Sequence, residues 1–174
     1  VTLGGETYLR NEDFKVTATL QGGALNFVSG NSSRVTDRFF LGSGVFRGFS
    51  PGGVGPREFD KISSINDALG GEYYAVARFE TQFPIGLPEE YGIEFGAFFD
   101  AGSLWGLSST HVGSGSKAHP RTILYDDFTL RAVAGLSIFW NTPIGPLRFN
   151  FTDAVKKTVH DVAQNFDLTV STSF

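Results

Sequence analysis

Apolar and polar residues alternate along most of this chain with a period of two, and no segment keeps a convincing helical period of 3.6. The last segment is the clearest. Phe166, Leu168, Val170, Thr172 and Phe174 alternate with Asp167, Thr169, Ser171 and Ser173. Successive side chains of a strand point to opposite faces, so one face is apolar there and the other carries hydroxyls and a charge. The same pattern predicts a strand over 73–83, with Ala75, Ala77, Phe79 and Phe83 opposite Arg78, Glu80 and Gln82. It predicts another over 91–101, with Tyr91, Ile93, Phe95, Ala97 and Phe99 opposite Glu94, Gly96, Phe98 and Asp100. Over 128–141, Leu130, Ala132, Ala134, Leu136, Ile138 and Trp140 oppose Arg131, Gly135, Ser137 and Asn141. Shorter runs at 14–20 and 147–152 follow the rule, and residues 1–9 form a weaker further candidate.

Short and long connections alternate between these strands. Residues 10–13, 84–90 and 141–146 are brief and rich in turn formers, whereas 29–69, 104–124 and 153–165 are long. A membrane barrel keeps tight turns on the periplasmic rim and long loops outside. Phe14, Phe83, Tyr91, Trp140 and Phe174 fall at the short-turn ends of their strands, and Tyr73, Trp105 and Tyr125 near the long-loop ends. Two aromatic girdles at the interfacial layers account for that placement. The second face is too polar for the interior of a small soluble barrel and suits a wet lumen.

Composition sharpens this picture. Gly 22 and Phe 18 accompany only 18% charged residues, which suits strands that face something other than water. A net charge of -4 gives no electrostatic case for nucleic acid, and no basic run docks on anionic lipid. Cys 0 removes disulfides and Cys-based zinc sites together. No apolar run reaches the roughly 18 residues of a membrane helix, which leaves a barrel untouched.

The strand count implies a part of something larger. Seven strands leave two open edges whose backbone donors and acceptors lipid cannot satisfy, and bacterial single-chain barrels have even strand numbers. A chain starting at Val1, with neither an initiator Met nor a signal peptide, reads as processed or cut from a longer protein. Closure then requires the protein's own N-terminal half or another copy.

The most distinctive chemistry lies in the long segment 29–69. Phe39-Phe40-Leu41-Gly42-Ser43-Gly44-Val45-Phe46-Arg47-Gly48-Phe49 spends many aromatics around one arginine, which a solvated loop seldom does. The reading is a loop folded back into the barrel with Arg47 as its anchor. A buried unpaired charge is very costly, so the arginine needs acceptors. Glu80 and Asp100, both on the polar parity of adjacent strands, can supply paired charge-assisted bonds to the guanidinium.

That Arg-Gly-Phe run resembles the sixth-extracellular-loop signature of the surface-antigen/BamA superfamily. Asn66–Gly71, opening the next strand, is similar to the family, as are Phe98-Phe99-Asp100-Ala101-Gly102-Ser103-Leu104-Trp105 and the run Ala134–Leu147. Four runs in order cover nearly the whole chain. The family includes the mitochondrial sorting-and-assembly barrel and the two-partner secretion transporters. The resemblance implies an all-β, partial antiparallel transmembrane barrel equivalent to the C-terminal strands of a 16-stranded one. Residues 1–174 then form one barrel portion, with periplasmic N-terminal domains lying outside this chain. It implies a loop anchor of Arg47, Gly48 and Phe49, held by Asp100 with Glu80 as second acceptor. Phe46 departs from the small aliphatic usual before the arginine. The terminal pattern of Phe166, Leu168, Val170 and Phe174 resembles the C-terminal strand signal recognised in barrel assembly and supplies one side of the family's seam. The same alternation is also all that a lipid-facing strand needs.

The implied function is folding and insertion of outer-membrane proteins, without enzymatic chemistry, cofactor or metal. The implied partners are outer-membrane lipids, nascent outer-membrane proteins and, through the periplasmic domains, lipoproteins of the assembly complex. The implied location is the bacterial outer membrane, long loops outside and C-terminus at the periplasmic rim. A two-partner secretion transporter or a passive porin shares the barrel, and a soluble lipocalin-like carrier fits the length. His111, His119 and His160 lie in predicted loops, and Asp126 and Asp127 near a strand start, with no nucleophile, base and orienting acid at related positions. Glu89-Glu90 reads as a solvated turn.

Overall fold

The computed structural model describes residues 1–10, 14–26, 33–60, 62, 64–108, 122–143 and 145–170. Phe174, His111 and His119 lie outside the described residues, as do positions 11–13 of the first expected turn. Ten strands are seen among the described residues: β1 (Thr2–Arg10), β2 (Lys15–Ala24), β3 (Arg57–Asp60), β4 (Ile65–Ala68), β5 (Tyr73–Phe83), β6 (Ile93–Trp105), β7 (Thr122–Leu124), β8 (Arg131–Thr142), β9 (Gly145–Lys156) and β10 (Phe166–Val170). Seven of them form one sheet in the order β1-β2-β5-β6-β8-β9-β10, antiparallel throughout. The alternating segments of the sequence are these seven strands, paired in chain order. Strand β9 runs past the expected end at 152 to Lys156, with a register irregularity opposite Ala132 and Ala134.

The two faces of this sheet invert the arrangement of a water-soluble protein. Leu20 is 65% exposed, Leu136 59% and Val170 54%, while Asp100 and Ser137 are fully buried. Phe79, Phe99, Phe151, Phe166 and Leu168 join the exposed apolar set, and Glu80, Asn150 and Thr152 the buried polar one. Hydrocarbon on the outside stabilises the first set. The register arranges it in rows across the strands, as in Ala18–Phe79–Phe99–Ala134, where two paired rings are flanked by alanines. At the short-turn end Phe14, Phe83, Tyr91 and Trp140 are exposed, as an interfacial girdle requires. At the other end Tyr73 stacks on Trp105 with centroids 6.1 Å apart, and Phe128 meets Trp105 edge-on. Tyr125 does not join that girdle. Its backbone is left-handed (φ 61°) and its hydroxyl lies 2.8 Å from Nδ1 of His160.

Sequence periodicity gave no sign of the second, three-stranded sheet, β4-β3-β7, built from the long connections. Asn66–Ala68, expected to open the next barrel strand, lies instead in β4, and β5 begins after the turn at Gly70-Gly71. Four-residue strands stapled by arginine carry too few alternations to register as a pattern: Arg57 donates to Asn66 Oδ1 (2.6 Å), Asn66 O (3.0 Å) and Gly52 O (2.7 Å). The core also differs from expectation. Leu41, Phe46, Phe49 and Val54 of the long loop pack against Tyr74, Val76, Phe98, Leu104 and Val133 of the sheet's inner face. That face is therefore polar only toward the short turns. Toward the long loops it is apolar and covered by the inserted segment.

Candidate functional site: the anchored loop

The loop that follows the isolated bridge between Phe39 and Gly71 packs on the inner face of the sheet and places Arg47 at 1% exposure. Its guanidinium donates from Nε to Asp100 Oδ2 (2.7 Å), from Nη2 to Asp100 Oδ1 and from Nη1 to Glu80 Oε2. Its own amide adds a longer bond to Asp100 Oδ2 (3.4 Å). Asp100 and Glu80 reach the same point because β5 and β6 are neighbours and both residues have the inward parity. The planar fork of arginine matches one carboxylate bidentately and leaves a further N–H for the second.

Phe98 completes the cradle. Its ring lies under the guanidinium, with Cζ of Arg47 3.7 Å from the centroid. A cation over an aromatic face, away from water, is attracted by the ring's quadrupole. Gly135 on β8 makes room for that ring: a Cβ there would meet Phe98 Cζ at 2.4 Å. Gly48 adopts φ 79°, and a Cβ on it would fall 2.6 Å from Cγ1 of Val133. Phe49 is 1% exposed against Phe46, which fills the place of the expected small aliphatic with centroids 5.1 Å apart. Phe98 and Gly135 were not singled out as site residues from the sequence. Their signal was present as an aromatic and a glycine at inward parity, but parity alone does not say that the ring will carry a cation.

Two further features hold the loop. Ser50 N donates to Val162 O (3.0 Å), Val162 N to Gly53 O (2.9 Å) and Gln164 N to Gly48 O (2.9 Å), so the connection before β10 adds a backbone bridge to the loop. Arg131 binds Asp161 through Nε and Nη2, both at 3.0 Å, with both side chains fully buried. His160, which the sequence places in a predicted loop, is half-buried between Tyr125 and Phe59, whose ring centroid is 4.5 Å away. Nearer the short turns, a polar cavity of about 200 Å³ is lined by Lys15, Thr17, Thr19, Arg78, Gln82 and Arg148 together with the anchor.

At the long-loop rim, burial by itself would raise the Glu72 carboxyl. Hydrogen bonds from Ser108 N (2.9 Å) and from the Ser33 hydroxyl outweigh it and hold the group below the usual glutamate value. Asp126 moves the other way, pushed up by burial and by neighbouring Asp127, and its Oδ1 has no hydrogen-bond partner. Among the described residues no group of three His, Cys, Asp or Glu side chains could hold a metal. Phe166 and Leu168 point outward from β10, which pairs with β9 over Phe166–Val170.

An open antiparallel wall, apolar outside, polar inside and filled by an arginine-anchored loop, is the wall of a transmembrane β-barrel. An Omp85 superfamily domain matches residues 2–174. The chain belongs to the Omp85 superfamily. It is 30% identical over 166 residues to the outer membrane protein assembly factor BamA of Neorickettsia risticii, covering 88% of this chain and 20% of that protein. It is 28% identical over 148 residues to BamA of Neisseria meningitidis serogroup B (76% of this chain, 18% of that one). It is 32% identical over 140 residues to the sorting and assembly machinery component 50 homolog of Bos taurus (69% and 28%). The crystal structure of BamA from Haemophilus ducreyi lacking POTRA domains 1–3 matches its fold with a TM-score of 0.72 at 22% identity, over 97% of this chain and 33% of that one. The chain thus spans about a fifth of the length of the bacterial relatives.

Proposed function

We propose that residues 1–174 are the C-terminal portion of the barrel of a larger outer-membrane assembly factor that folds and inserts β-barrel proteins. The observation that carries this reading is the buried Arg47–Asp100–Glu80 cluster within a chain related to two bacterial assembly factors and a mitochondrial assembly component. The lipid-facing residues hold the wall in the outer membrane, long loops outward. The anchored loop keeps the wall filled and curved. Strand β10, paired on one side by β9 among the described residues, offers backbone donors and acceptors on its other edge, and an incoming strand can add to such an edge by β-augmentation. Phe166, Leu168 and Val170 form the lipid side of that seam. Nascent outer-membrane proteins are its clients, and accessory lipoproteins join through domains beyond this chain. Nothing in this reading calls on a cofactor or covalent chemistry.

The test is client insertion by the full-length protein reconstituted in liposomes. Arg47→Ala impairs insertion, and the charge exchange Arg47→Asp with Asp100→Arg recovers part of it. Unchanged insertion by Arg47→Ala overturns the role of the anchor, and ion conductance without client insertion favours a passive pore.

A further inference from the structure

Glu80 Oε2 accepts from two arginines at once: Arg47 Nη1 of the loop and Arg148 Nη2 of β9. Arg148 turns its other edge away from the loop, donating from Nε to Asn150 Oδ1 at 2.8 Å. Asn150, 1% exposed, is fixed by Ser137, whose hydroxyl donates to the same oxygen (2.7 Å), and its amide donates to Asp167 Oδ2 on β10 (3.3 Å). Thr169 of β10 donates to that Asp167 oxygen as well (3.1 Å). Side chains thus form an unbroken hydrogen-bonded path from the loop anchor on β5 and β6 to the terminal strand. We infer that Arg148 is a positioning residue that couples docking of the Arg47 loop to the pairing of β10.

The physical reason lies in how one guanidinium is shared. Arg148 divides its N–H donors between a charged acceptor, Glu80, and neutral ones, Asn150 and, at 3.3 Å, the Ser137 hydroxyl, while its Cζ lies 4.9 Å from the Phe139 ring centroid. Charge-assisted bonds are roughly twice as strong as neutral ones. With Arg47 in place, Glu80 is neutralised from the loop side and Arg148 can hold Asn150. When the loop leaves, Glu80 depends on Arg148 and Gln82, and Arg148 is drawn toward the carboxylate. Asn150 then loses a donor and Asp167 is held less firmly. Strand β10 is the place where such a change matters, because it ends the sheet order and, among the described residues, pairs with β9 alone, whereas β2, β5, β6 and β8 are paired on both sides. A strand held from one side opens more readily than one paired on both. The loop thereby controls how tightly the seam strand is paired, which deepens the assembly reading and rests on it for its biological use.

The experiment is amide hydrogen exchange on the full-length protein in nanodiscs without client, comparing Arg148→Met, Arg47→Met and the double variant. Arg148→Met should speed exchange of the β10 amides tenfold or more while β5–β6 amides change less than threefold. Arg47→Met should speed β10 exchange too, and in the Arg148→Met background it should add almost nothing. Arg148→Lys, keeping charge without the fork, should not restore the slow exchange. Unchanged β10 exchange in Arg148→Met, or effects of the two substitutions that simply multiply, overturns the coupling. Should Arg148→Met fail to fold, Asp167→Ala replaces it. It cuts the path at the far end, and Arg47→Met must then lose its effect on β10. Because no client is present, failure here is separate from failure of the insertion assay.

Discussion

Removing the anchor, by Arg47→Ala, turns the geometry of the site into a measurable quantity. Asp100 is fully buried and loses both side-chain bonds, keeping from residue 47 a backbone contact of 3.4 Å. Glu80 fares better, since Arg148 and Gln82 remain on it. Breaking a buried pair from one side costs about 3–5 kcal/mol, because the remaining charge has nowhere to go. At about 1.4 kcal/mol per factor of ten, the ratio of docked to undocked loop falls about a hundred- to a few-thousand-fold. Amide exchange at Ser50, Val162 and Gln164 reports this directly, since those N–H groups bond between the loop and the connection before β10. Adding Asp100→Asn removes the stranded charge and should restore at least half of the lost protection. A loss below tenfold in the single variant, or an equal loss in the double, refutes the argument that an uncompensated buried charge sets the cost.

Other consequences follow from single residues. Gly48→Ala puts a Cβ 2.6 Å from Val133 Cγ1 in a left-handed backbone that itself costs roughly 1–2 kcal/mol. Loop protection should fall, and Val133→Ala should recover only the steric part. Leu136→Arg, on the exposed face near the middle of β8, should destabilise the membrane-embedded protein by about 2–4 kcal/mol in urea unfolding, against little effect in a soluble carrier. Glu72 titrates lower when folded than when unfolded, so its stabilisation is complete above the unfolded value and fades as pH falls through the folded one. Exchange at the Ser108 amide should therefore accelerate in acid beyond its intrinsic trend, and Glu72→Gln should flatten that response. Asp161→Asn strands the fully buried Arg131 guanidinium and should loosen the connection 157–165, read as faster protease cleavage there.

The sequence alone determined the seven-stranded wall, because a period of two needs no tertiary information once one side of a ribbon meets hydrocarbon and the other does not. It placed Arg47, Asp100 and Glu80 in reach of one another for the same reason: parity sends both carboxylates inward, and a lone arginine in an aromatic loop must find an acceptor. Tertiary structure alone decided what stands around them. Phe98 under the guanidinium, Gly135 beneath Phe98 and Arg148 sharing Glu80 depend on cross-strand register, which no single strand's pattern encodes. The small sheet of β3, β4 and β7, the inward turn of Tyr125 and the half-buried His160 arise where the long connections pack on one another. Their strands are too short for periodicity, and their contacts join residues far apart in the chain, such as Asn66 and His160, 94 positions from each other. Local pattern fixes which way a side chain points, but only the folded arrangement of distant segments fixes what it meets.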